Sequence, residues 1–311
     1  MNIFNDFSSI SSIKHPVLTI GTFDGVHIGH KKIIDQLNEE AAKIGGESVL
    51  FTFFPHPRMV IFPESHGLKL IQTQEEKLEK LKEMGLQNVI VFPFTFEFSR
   101  LTALEFVRDM LVNQLHVKKL VIGYDHQFGK NREGSIHFLR DVAETYEFEV
   151  IEIPAQDIDA VHVSSTKIRE ALLTGDIEKA NDYLGAPFQL SGTVVQGKQL
   201  GRTIGFPTAN LSLANDLKLI PQNGVYAVKV FYKEQCFEGM MNIGIRPTIE
   251  GKNDPTIEVH IFDFDQTIYG DNLRVELYKK TREEQKFNGI DALKDQLKSD
   301  EISIRNFFNR P

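Results

Sequence analysis

Five short apolar runs recur along the first half of the chain: VLTIG (17–21), SVLFTF (48–53), NVIVFPF (88–94), KLVIGY (119–124) and EVIEIP (149–154). Each is too short for a helix and does not alternate, the pattern of parallel strands covered on both faces. Helical stretches separate them. HKKIIDQLNEEAAKIGG sets Ile33, Ile34, Leu37 and Ala41 on one face and stops at Gly45 and Gly46. TALEFVRDMLVNQL opens on Thr102 with Glu105 three residues later, a capping box. Strands alternating with helices predict a doubly wound α/β sheet.

After Ser164 the pattern changes. SSTKIREALLTGD and IEKANDYLG read as two short helices with Gly175 and Gly185 as stops, which puts a domain boundary near Gly185 and divides the chain into 1–185 and 186–311. Beyond it, glycine-punctuated segments of β character (GTVVQG, GVYAVKVFY, EGMMNIG, TIEVHIF) predict a small antiparallel barrel or sandwich. The last stretch, DALKDQLKSDEISIRNFF, reads as helix.

Composition narrows the function classes. A net charge of -8 argues against a general nucleic-acid binder, which needs a positive face. The single cysteine, Cys236, and the absence of any cysteine cluster favour a reducing compartment, hence the cytoplasm. No apolar run approaches the roughly 20 residues that span a bilayer, and the first fifteen residues lack a signal-peptide pattern, so no membrane partner is expected. Most of the 24 phenylalanines are expected in the cores.

The stretch GTFDGVHIGH (21–30) follows the first strand and runs into a helix N-terminus, where open α/β sheets bind ligands and where orphan N–H groups favour anions. Gly21, Gly25 and Gly29 permit close approach of backbone or ligand. No Gly-Lys-Ser/Thr follows, and the glycine spacing does not fit a dinucleotide fingerprint. His27 and His30, three apart, face the same way if both lie on the first helical turn, and neutral imidazole donates to phosphate oxygens. A metal site needs a third ligand, and none sits at a diagnostic spacing. SSTKIR (164–169) follows the fifth strand at another helix start. Alone it reads as an N-cap with Arg169 on a solvated face; beside GTFDGVHIGH it reads as further phosphate contacts, with Arg169 a fork of donors for developing charge.

In the second half, GKQLGRTIGFPTAN (197–210) combines Gly197, Gly201 and Gly205 with Lys198 and Arg202, and ends on the hard oxygen donors of Thr208 and Asn210, suited to Mg2+. A β-turn with a basic rim is the plainer reading. In TIEVHIF, Ile257, Val259 and Ile261 alternate with Glu258 and His260, so Glu258 is a carboxylate on a rigid strand, either solvent-facing or a general base.

GTFDGVHIGH with SSTKIR resembles the nucleotidylyltransferase superfamily and its His-x-Gly-His signature. GRTIGFPTAN, IEVHIFDFDQTIYG and TREEQKFNGIDALKDQL resemble the riboflavin kinase module, and nearly the whole chain is similar to the bacterial bifunctional riboflavin kinase/FAD synthetases. The resemblance implies an adenylyltransferase domain followed by a six-stranded kinase barrel with a C-terminal helix. It further implies phosphorylation of riboflavin to FMN, adenylylation of FMN to FAD with Mg2+ and ATP, and small-molecule partners in a monomer or weak homo-oligomer. Carried across by position, it assigns His27, His30, Ser164, Ser165, Thr166 and Arg169 to the adenylyltransferase ATP site, with Gly21, Phe23, Asp24 and Gly25. Gly197, Lys198, Gly201 and Arg202 fall to the kinase's ATP, Thr208 and Asn210 to its metal, and Glu258 to its general base. Arg282 is assigned to the flavin or its phosphate. Phe54, Asp125 and Phe128 are assigned to flavin in the first domain, where two departures stand. Phe54 takes the place of a frequent acidic residue, and His126 and Gln127 replace a common Phe-Arg pair.

Overall fold

The computed structural model describes residues 1–7, 10–64, 67–124, 126–154, 163–197, 200–247 and 253–309. The chain divides into two compact units, Met1–Ser165 and Thr166–Pro311.

The first unit is built on six parallel strands: β1 (Asn2–Phe4), β2 (Val17–Ile20), β3 (Ser48–Phe54), β4 (Asn88–Pro93), β5 (Lys119–Gly123) and β6 (Glu149–Ile153), in the order β1-β4-β3-β2-β5-β6. The five expected strands are present. The edge strand β1 was not foreseen; it pairs Asn2 with Asn88, and the Asn2 amide donates to the Asn88 side chain at 2.9 Å. Between the strands run α1 (Ile28–Lys43), α2 (Pro57–Ile61), α3 (Gln74–Glu83), α4 (Ala103–Glu105, continuing in π-helical turns over Phe106–Val112) and α5 (Ile136–Tyr146).

Alternate residues of each buried strand face opposite cores, as a two-sided sheet requires. Leu18, Ile20, Val49 and Phe51 pack with Phe106, Leu111 and Leu139, while Val17, Leu50 and Val121 pack with Ile34, Leu37, Ala41 and Leu81. The capping box at Thr102 and Glu105 forms as the spacing predicts. Strand β2 sits between β3, its successor, and β5, so the direction of winding reverses beside β2. In open α/β sheets that switch point opens a crevice at the strands' carboxyl ends. The segment 21–27 leaves β2 into it.

The second unit begins with α6 (Ser165–Leu173, opening at the last residue of the first unit) and α7 (Ile177–Leu184), both ended by left-handed glycines at Gly175 and Gly185. The Asn181 amide donates to the Leu277 carbonyl at 2.8 Å. The barrel strands are β7 (Phe188–Val195), β8 (Ala209–Leu213), β9 (Gly224–Tyr232), β10 (Gln235–Pro247), β11 (Asn253–Ile261) and β12 (Asn272–Arg282), with α8 (Leu200–Thr203) between β7 and β8 and α9 (Ile290–Phe308) last. They close in the order β10-β11-β8-β7-β12-β9. The choice between barrel and sandwich is thus settled, and closure removes the exposed edges that an open sheet would leave. Helix α9 lays Leu293, Leu297 and Ile304 against Ile204, Phe206, Val225 and Ala227.

Candidate active sites

Residues 21–27 are strapped down by side chains and backbone together. The Gly21 N–H donates to the Phe51 carbonyl at 3.0 Å, the Val26 N–H to Gln72 at 2.8 Å, and the Ile71 N–H to the Asp24 carboxylate at 3.0 Å. Phe23 and Gly25 adopt left-handed conformations, φ 49° and 66°. A Cβ on Gly25 would also meet Ile71 at 2.8 Å, so glycine is required there twice over. Asp24 and Phe23 are buried. Asp24 therefore braces the loop, and Phe23 stacks on the His30 ring at 4.2 Å.

His27 is the N-cap of α1 and His30 its third residue. The His30 N–H donates to His27 Nδ1 at 3.2 Å, and the His27 N–H donates to His30 Nδ1 at 3.4 Å. Because each Nδ1 is an acceptor, the proton of each neutral ring sits on Nε2. Burial pushes the His27 pKa from 6.5 down to about 4. It carries that of His30 well below 6.5, helped by the neighbouring His27 and outweighing a hydrogen bond to the Gly25 backbone. Both imidazoles are uncharged at neutral pH. The first turn of α1 contains no acidic residue, so the positive end of the helix stays open to an anion.

Ser165 reaches this loop: its hydroxyl donates to the Asp24 carbonyl at 2.8 Å across 141 residues of sequence. Ser164 is half-buried beside it in sequence, and Thr166 and Arg169 continue α6 in the second unit. One neighbour escaped the sequence reading. Lys77 of α3 is buried, and its ammonium donates to the Thr22 carbonyl at 3.3 Å and the Thr52 hydroxyl at 3.2 Å. Its signal was a lysine four residues before Leu81, on the apolar face.

Exposed aromatic side chains follow the carboxyl ends of the same strands. Phe54 ends β3, Phe62 follows α2, and Phe96 and Tyr124 follow β4 and β5. Only Phe54 among them was foreseen. Phe128 is half-buried, packed at 5.5 Å on Phe106 of the core. Asp125 lies outside the described residues, as does Lys198 of the second unit.

In the barrel, Asn210 of β8 stands opposite Glu258 of β11, and the Thr208 hydroxyl donates to the Glu258 carboxylate at 3.4 Å. Ile257, Val259 and Ile261 are buried while Glu258 and His260 face the other way, as the alternation predicts. A Cβ on Gly197 would lie 2.3 Å from the Asn210 amide nitrogen and 2.8 Å from its oxygen, so the missing side chain leaves the place this amide fills. The Thr208 hydroxyl and the Asn210 amide oxygen, just before β8 and on it, are hard donors of the kind that suit a small cation such as Mg2+, with the Glu258 carboxylate on the neighbouring strand.

Two cavities adjoin these residues. One, of about 500 Å³, is lined by Arg202, Thr208, Asp265, Thr267 and Tyr269 among others. The other, of about 270 Å³, is lined by Thr208, Glu258, Asn242, Arg282, Phe287 and Leu297 among others. Thr208 belongs to both. Gly201 borders the smaller one, and its carbonyl accepts from the Ile204 N–H at 3.2 Å and the Phe206 N–H at 2.8 Å. Arg282 borders it too, but its guanidinium is held by the Asp300 carboxylate at 2.8 to 3.1 Å.

Residues 9–167 match the family model described as FAD synthetase, and residues 184–308 match the one described as riboflavin kinase. A bifunctional riboflavin kinase/FMN adenylyltransferase of Listeria monocytogenes is 40% identical over 94% of this chain and 92% of its own. The chain belongs to the bifunctional riboflavin kinase/FMN adenylyltransferase family. The protein of the same name from Escherichia coli is also 40% identical over 94% of this chain and 92% of its own. A solved structure titled a macrolide-efflux protein, from Streptococcus pneumoniae, is 33% identical, covers 98% of this chain and 99% of its own, and superposes with a TM-score of 0.87. Among the described residues of this family member no helix is long and apolar enough to cross a membrane. Its FAD synthetase match spans the 21–30 segment and Ser165, and its riboflavin kinase match spans Thr208, Asn210 and Glu258.

Proposed function

We propose that the chain phosphorylates riboflavin to FMN in the barrel and adenylylates FMN to FAD in the N-terminal domain, both with ATP. The observation that carries the first step is the position of Thr208 on both cavities, with Glu258 in the smaller one. ATP fills the larger cavity and riboflavin the smaller. Glu258 takes the proton of the ribityl 5'-hydroxyl, whose oxygen attacks the γ-phosphorus as ADP leaves. Thr208 and Asn210 would hold Mg2+, which when bound would neutralise charge on the ATP phosphates, leaving Glu258 free to act as the base.

For the second step no side-chain nucleophile is needed. A phosphate oxygen of FMN attacks the α-phosphorus of ATP, the bond to the β-phosphate breaks, and pyrophosphate leaves. Catalysis is positioning and charge stabilisation. His27 and His30, uncharged and protonated on Nε2, serve ATP phosphates, as do Gly21, Gly25, Ser164, Ser165 and Thr166, with Arg169 countering charge. Phe54, Asp125 and Phe128 serve the flavin, joined by the exposed Phe62, Phe96 and Tyr124. We assign adenylyl transfer to residues 1–185 and phosphorylation to 186–311, in a cytoplasmic protein that is a monomer or weak homo-oligomer.

The test is a product time course from riboflavin, ATP and Mg2+, separating the flavins. FMN should rise first and FAD follow. FMN without FAD would confine activity to the barrel, and no new flavin at all would overturn the reading.

A further inference from the structure

Buried lysine is rare because desolvating an ammonium is costly, and it is usually retained where a carboxylate pairs with it. Lys77 is only 6% exposed, yet its two hydrogen-bond acceptors among the described residues are neutral oxygens, the Thr22 carbonyl and the Thr52 hydroxyl. The Thr52 hydroxyl also donates to the Thr22 carbonyl at 3.2 Å, so three groups from α3, β3 and the segment after β2 close a triangle. This triangle lies at the root of the loop that carries Phe23, Asp24 and Gly25 and leads into His27.

We propose that Lys77 is a positioning residue for adenylyl transfer, clamping the Thr22 carbonyl to Thr52 and so holding residues 22–30 in the shape that receives ATP phosphates. The proposal rests on the reading of this loop as the adenylyl-transfer site. A methionine or leucine would fill the same space without the desolvation cost, and exchanging a buried charge for an apolar side chain of similar volume is often neutral or stabilising. Among the described residues the carboxylate that acts on the ammonium, Asp24, belongs to the same loop, so what the charge contributes is delivered to residues 22–30. The charge also reaches the reactive end of the loop. Lys77 lowers the pKa of His30, favouring the uncharged ring, while burial brings its own down to about 8 and Asp24 opposes that fall. Asp24 from the loop and His30 from α1 are the titratable groups that face it among the described residues.

The experiment compares the wild type with Lys77→Met in the full chain, measuring FAD formation from FMN and ATP, FMN formation from riboflavin, and thermal unfolding. The expected result is unfolding at an unchanged or higher temperature, intact phosphorylation, and a loss of about ten- to a hundredfold in kcat/KM for ATP in adenylyl transfer. The wild type should also show an alkaline limb near pH 8 in that parameter, which the variant lacks. Should Lys77→Met fail to fold, Thr52→Val opens the same triangle with little change of volume and should lower adenylyl transfer in the same direction. Full adenylyl transfer by either folded variant, or a loss that merely follows a fall in melting temperature, would overturn the proposal. A wild type that makes no FAD would instead overturn the reading on which it rests.

Discussion

The rings of His27 and His30 stack with centroids 3.6 Å apart, and each Nδ1 accepts the other's backbone N–H. One pair of side chains thus caps α1 while each uncharged ring keeps its proton on Nε2. These two duties separate by mutation. Asparagine is a good N-cap but lacks the imidazole donor, so His27→Asn should cost little stability. Adenylyl transfer should fall by about a hundredfold, the usual loss of one transition-state donor. Thermal unfolding alongside FAD formation from FMN checks both halves, and riboflavin phosphorylation should be unchanged.

Acid should weaken the same unit. The unfolded chain protonates His27 as pH falls through 6.5, whereas the folded chain resists until about 4. Folding stability from this group is complete above 6.5 and drains away between 6.5 and 4, because there the unfolded state binds more protons. At about pH 5 the loss from His27 alone is about 2 kcal/mol. Melting temperatures from pH 7.5 to 4.5 should fall less steeply in His27→Asn than in the wild type.

Glu258→Gln keeps shape and removes the base. Riboflavin phosphorylation should drop by about a hundred- to ten-thousandfold, while FAD formation from supplied FMN persists. Loss of both activities in a folded variant would defeat the assignment of the two sites to separate domains.

Gly197→Ala tests the cradle around Asn210. The new methyl would lie 2.3 Å from the Asn210 amide nitrogen, the far end of a movable side chain, so the amide swings aside and the fold tolerates the change. The expected result is an almost unchanged melting temperature with a raised Mg2+ requirement for phosphorylation, read from metal titrations of FMN formation.

Half-buried Arg282 and buried Asp300 form a pair that ties β12 to α9 beside the smaller cavity. Asp300→Ala strands the guanidinium and should destabilise the barrel unit by about 3 kcal/mol. Because Leu293 and Leu297 of α9 line that cavity, the KM for riboflavin should rise as well. Combining Arg282→Met with Asp300→Leu should recover most of the stability, which circular dichroism melting would detect.

Local signals carried much of both domains. The cap at Thr102, the stops at Gly175 and Gly185, and the alternation around Glu258 each depend on residues a few positions apart, and their physics is the same in any fold. The motif segments were legible for that reason, down to the helix that Ser165 opens. Strand β1 was not, because three residues carry no periodicity and its pairing partner lies 86 positions away. Arg282, which the resemblance assigned to the flavin, borders the smaller cavity, but nothing near it in sequence announced Asp300, 18 positions on, as the carboxylate that also holds it.

By itself, then, the sequence determined the order of strands and helices, the chemistry available at each strand end, and the family that combines them. Tertiary structure alone decided which of those polar groups are spent inside the protein. Asp24 turns inward to Ile71, Arg282 is claimed by Asp300, and Lys77 is buried beneath a loop 55 positions away. Hydrogen bonding and desolvation act on whatever the folded chain brings within 3 Å or so, and that neighbourhood is set by packing rather than by distance along the chain.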